Sequence, residues 1–166
     1  MTIKRSLLSL HDALETLARM VREVTVAVDD AGENDLAVLD ALRGHAAELE
    51  GELAETAAAL QPAIAAGQRG DAAAAACALA GTHERFTALG RRLRFGLAGH
   101  DTLFAIVRLP SRRGATWRGW SEVVLRQLQQ VDDALYDADA AFVASWQEIA
   151  DVALHAPTHR KETAHA

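Results

Sequence analysis

From Ile3 to Val28 the apolar positions are Ile3, Leu7, Leu10, Leu14, Leu17, Val21, Val24 and Val28. The steps alternate between four and three residues without a break. That is the spacing of one apolar stripe on an α-helix and, when sustained, of a coiled-coil seam. The pattern predicts a first helix over residues 2–30, stopped by Gly32, with Asn34 or Asp35 capping the next. Leu39, Leu42, Ala46, Leu49, Leu53, Thr56, Leu60 and Ala63 predict a second helix over residues 35–66. Pro62 should kink or end it near Leu60, because proline lacks an N–H and crowds the preceding turn. Asp71 reads as the N-cap of a third helix, whose seam is Leu79, Thr82, Phe86, Leu89 and Leu93. Val124, Leu128, Val131, Leu135, Ala138, Phe142, Ser145, Ile149 and Val152 carry the rhythm through a fourth, from about Thr116 to His155. At about 1.5 Å per residue this last helix is on the order of 60 Å long.

A period near 3.5 favours helices packed close to parallel. Short turns make neighbours antiparallel. The expected fold is therefore all-α: an elongated up-down-up-down four-helix bundle with coiled-coil-like heptad packing, one domain over residues 1–155. The tail "APTHRKETAHA", residues 156–166, has no periodicity and is expected to be disordered. One connection stands out. Residues 99–114 join helices 3 and 4, where bundle connections usually take roughly 2–8 residues. Within it "TLFAIVRL", residues 102–109, is apolar on nearly every face. It reads as a short helix capped by Asp101 or as a strand, and in either form needs cover from the bundle, a partner or lipid.

Composition changes this picture little. Half of the 166 residues are hydrophobic and the formal charge is −6, which argues against a chain that is basic throughout. Cys77 is the single cysteine, so no internal disulfide can form, and it reads as a small buried hydrophobe. Lys4 and Arg5 precede a run broken by His11, Asp12 and Glu15, unlike a secretory signal. The longest weakly charged stretch, residues 95–107, falls short of the roughly 20 residues a membrane helix needs. A cytoplasmic location is the expectation.

Candidate chemistry is sparse. His11, His45 and His83 flank the seams, but no Glu-x-x-His pair of the di-iron bundles occurs, and "HAAE" at 45–48 is the reverse order. Along such a bundle their heights come out at roughly 13, 31 and 20 Å, whereas ligands must lie about 2 Å from one ion. No metal, cofactor or catalytic residue is assigned. Asp132, Asp133, Asp137 and Asp139 fall off the seam and read as a solvated face. Neither a phosphate-binding glycine loop nor a nucleophile elbow is present. Trp117-Arg118-Gly119 is similar to the Trp-x-Gly of small type VII secretion substrates. However, Pro110 interrupts the preceding stretch and Ala140 stands where their trailing acid would be. No function is carried over.

Charge is strongly segregated. Between Arg85 and Arg126 nine arginines face only Asp101 and Glu122, a net +7, which leaves −13 on the remainder. Arginine's planar fork suits carboxylates and phosphates and stacks on aromatic rings. Phe95, Phe104, Trp117 and Trp120 lie among them. The expected function is a non-catalytic helical adaptor or assembly subunit that binds a protein partner, through an acidic surface or helix, with the region 91–120. The anchors are Phe104, Trp117 and Trp120, with Arg112, Arg113 and Arg118 as charge contacts. A homo-oligomer is also credible from the strict heptads of the first helix. The alternative is a phosphate-surface module for nucleic acid or anionic membrane. A third class is a metal-dependent helical-bundle enzyme. The bland alternative is that the aromatics close one end of the core and the arginines neutralise its acid.

Overall fold

The computed structural model describes residues 3–30, 37–113 and 115–155. They form six helices: α1 (Lys4–Asp29), α2 (Ala37–Ala58), α3 (Gln61–Gln68), α4 (Ala72–Arg92), α5 (His100–Arg113) and α6 (Ala115–His155). A π turn, Leu93–Leu97, follows α4, and there is no strand among the described residues. The proposed caps Gly32, Asn34 and Asp35, and the tail 156–166, lie outside the described residues.

The apolar rows become the core. Every residue of the α1 row, from Ile3 to Val28, is at most 1% exposed. The α6 row is buried from Val124 to Ile149, and Val152 packs against its edge. α1 lies against both α6 and α2, while α4 packs on α3, α6 and α2. Burying a Leu or Val side chain stabilises by about 1.5–3 kcal/mol, so the rows of α1 and α6 alone account for much of the drive to fold. The polar members of the rows are satisfied internally. The Thr56 hydroxyl donates to the Glu52 carbonyl at 2.8 Å and that of Ser145 to Ala141 at 2.9 Å. That of Thr82 lies 3.3 Å from the Ala59 carbonyl and 3.2 Å from that of Ala78.

Breaks fall where the local chemistry demands them. α2 ends at Ala58, and α3 restarts with Pro62 in its first turn, where a missing N–H has no intrahelical partner to lose. The row continues across the break through Leu60, Ala63 and Ile64. Gly70 takes φ +73°, a left-handed conformation that glycine adopts without strain, and Asp71 then caps α4 by accepting from the Ala74 N–H at 3.0 Å.

The connection after α4 differs from the expected long link. Its residues are mostly α5, which packs on α6, with Ile106 and Leu109 turned into the core. The helix starts at His100, one residue before the expected cap. Only one side of "TLFAIVRL" is covered: Phe104 and Val107 are about half exposed. Among the described residues no helix is long and apolar enough to cross a membrane.

Candidate functional site

The end of the molecule built from the π turn, α5 and the start of α6 holds most of the residues singled out in the sequence. Trp117 is not a surface anchor. It is 8% exposed and belongs to the core, its ring edge-on to Trp120 at 5.1 Å. Trp120 is partly buried, and its indole N–H donates to the Ala27 carbonyl at 2.7 Å, tying α6 to the end of α1. This corrects the expectation that both tryptophans face a partner. Residues 117, 120, 121 and 124 lie on one side of a helix. Ser121 and Val124 are buried there, so the tryptophans continue the core row rather than the outer face. Replacing them would test folding, not binding.

Two of the arginines lie beside carboxylates of other helices. Arg92 bridges Glu48, at 2.7 Å, and Glu52 on α2. Its guanidinium is held above its ordinary range, first by the hydrogen bond to Glu52, against a smaller opposing effect of burial. Arg94 lies 3.8 Å from Asp139 on α6. Arg85, Arg91, Arg118 and Arg126 are exposed with no carboxylate within ion-pair distance among the described residues. Arg112 and Arg113 belong to the last turn of α5, and their side chains lie outside the described set.

What faces solvent is the outer side of α5. Phe104 and Arg108 are one turn apart, and the guanidinium sits 4.1 Å from the ring centroid. Val107 completes the patch. Beside it runs a groove of about 470 Å³, floored by Ala37, Val38, Ala105 and Leu109 and edged by Asp101, Phe104 and Arg108. On the π turn Phe95 is 77% exposed, the most open aromatic among the described residues.

Two glycines at this end are tightly approached, Gly99 by the Phe95 carbonyl of the π turn and Gly96 by a side chain of α2. The His45 ring of α2 lies against Gly96, so that a Cβ there would run into the imidazole. The His45 Nε2 is buried, with no hydrogen-bond partner among the described residues. Any side chain at residue 96 would push this ring off the turn.

The other histidines settle elsewhere. The Trp146 indole N–H donates to His83 Nδ1 at 3.1 Å, and the imidazole stacks on Phe142 at 4.6 Å, so His83 serves the α4–α6 junction. His11, Asp12 and Glu15 bring one ligand-type atom each within 4.8 Å of one another. They edge a cleft of about 700 Å³ between α1 and α2, together with Arg19 and Arg22. The comparison of histidines on different helices missed this group; its signal was the local i, i+1, i+4 spacing on α1. Asp12 and Glu15 are exposed, each with a carboxylate oxygen 3.8 Å from a ring nitrogen of His11.

Three further expectations change or hold. Cys77 is exposed, not buried, because it lies opposite the core positions Ala75 and Leu79 of α4. The α1 heptad row is consumed by its own chain, so it is not available for self-association. The four α6 aspartates are all exposed, as a solvated face requires. Comparison with known proteins finds no matching family model, no similar curated protein and no similar solved structure.

Proposed function

We propose that this chain is a non-catalytic helical adaptor or assembly subunit of the cytoplasm, which binds a protein partner through the outer face of α5 and the adjoining π turn. In this reading the helices form an up-down-up-down bundle with heptad packing, a stiff body that presents one end. The observation that carries the reading is the exposed patch of Phe104, Val107 and Arg108 beside the α2–α5 groove. Aromatic and arginine side chains at a groove edge are the usual anchors of protein interfaces. The phosphate-surface alternative has less support, because Arg92 pairs with Glu48 and Glu52 and Arg94 lies near Asp139.

The test is capture from the native host with the full chain and with a Phe104→Ala/Val107→Asp variant. The adaptor reading expects a defined protein that co-purifies with the parent and is lost from the variant, with the helical melt unchanged. It also expects the complex to survive a rise from about 50 to 200 mM salt, over which a phosphate complex loses most of its affinity. Equal capture by both forms, or recovery of nucleic acid alone, overturns it.

A further inference from the structure

The outer surface formed jointly by α4 and α6 is separate from the α5 patch and has its own logic. Side-chain contacts set the relative heights of the two helices. His83 meets Phe142 and Trp146, and Gly90 sits beside Leu135, so the pair runs antiparallel. Carried along at the α-helical rise, this places Ala73 level with Leu154, Cys77 with Ala150, and Arg91 with Tyr136. Turning by about 100° per residue, α4 presents Ala73, Cys77, Ala80 and Arg91 outward. α6 presents Tyr136, Val143, Gln147 and Leu154, preceded by Asp133. Tyr136, Val143 and Leu154 are 73%, 55% and 81% exposed. One helix thus shows small residues where the other shows large ones.

We propose that this face is the contact between two copies of the chain, related by a two-fold axis parallel to the helices. Such an axis lays α4 of one copy over α6 of the other without changing height. The small positions Ala73, Cys77 and Ala80 then receive Leu154, Gln147 and Val143. Arg91, exposed and with no carboxylate within ion-pair distance among the described residues, meets Asp133 and the ring of Tyr136. Asp133 accepts from the Gln129 amide at 3.2 Å. The same match is made twice by symmetry. Charge complementarity selects a second copy over an unrelated apolar helix, because the arginine and the aspartate stand at one level of one face. The area is adequate: about 20 residues of two adjacent helices give roughly 30 by 20 Å. The two copies together would bury about 1,200 Å², the lower end of specific interfaces. Glu84 is the carboxylate on the outward strip of α4. It comes level with Ala140 and Val143, so it finds no cation there and should limit affinity.

Sedimentation velocity on the full chain across micromolar concentrations tests this. The parent is expected to dimerise. Val143→Glu should shift it to monomer with unchanged helical circular dichroism, and Glu84→Gln should tighten the dimer. Arg91→Glu should weaken it by about tenfold or more, and Arg91→Glu combined with Asp133→Arg should restore it. A monomer at every concentration overturns the proposal. So does a dimer indifferent to Val143→Glu, or a charge swap that fails to restore association. A different protein seated on this face would show as a parent that stays monomeric alone.

Discussion

In α1 every member of the apolar row from Ile3 to Val28 is buried, whereas the apolar residues of 102–109 divide, with Ile106 in the core and its neighbour Val107 in solvent. The residue types are similar. The difference is periodicity. A row that repeats at 3, 4 presents a single stripe, so one neighbouring helix on each side covers it. A run that is apolar on every face offers no such choice, and packing against α6 and the first turns of α2 covers only part of it. An irregular apolar run therefore leaves part of its surface in solvent wherever its neighbours do not reach.

The comparison can be broken most forcefully at Trp117. Trp117→Ala should cost about 3–5 kcal/mol in a denaturant melt, as a core residue would. A loss under about 1 kcal/mol would return it to the surface. Gly96→Ala follows, at about 1–3 kcal/mol, because the new methyl meets the His45 ring. In a His45→Ala background most of that loss should vanish, a coupling readable by a double-mutant cycle. Trp120→Phe keeps the packing and removes the N–H to Ala27, for a loss of about 0.5–1.5 kcal/mol. Asp71→Ala should cost about 1 kcal/mol by removing the cap of α4. Gly119→Ala is expected to stabilise by about 0.5–1 kcal/mol, since a Cβ there meets nothing within 4 Å among the described residues. If Gly119→Ala instead destabilises, the start of α6 is covered by something.

Much of the fold was legible in advance. The seam residues of all four predicted helices are buried, with Val152 only partly so. Pro62 and Asp71 mark their boundaries through local chemistry that needs no tertiary context. The candidate site was less legible. Trp117 and Trp120 sit among arginines in the sequence, and composition drew them to the surface, although their spacing to Ser121 and Val124 pointed inward. Cys77 fails for the converse reason. It lies in an alanine run where small residues on every side hide which face is apolar.

The amino-acid order by itself determined that the chain is helical, where its long helices lie, which side of each is buried, and that positive charge gathers at 85–126. These follow from periodicity and caps, which act over a few residues. Only the tertiary structure decided which arginines remain outward, because Arg92 and Arg94 find carboxylates on other helices. It also decided that α5 exposes Phe104 and Val107, and that the small residues of α4 and the large ones of α6 share one outer face. Such pairings join residues far apart in the chain, and their distance is set by how the helices pack, which no local spacing encodes.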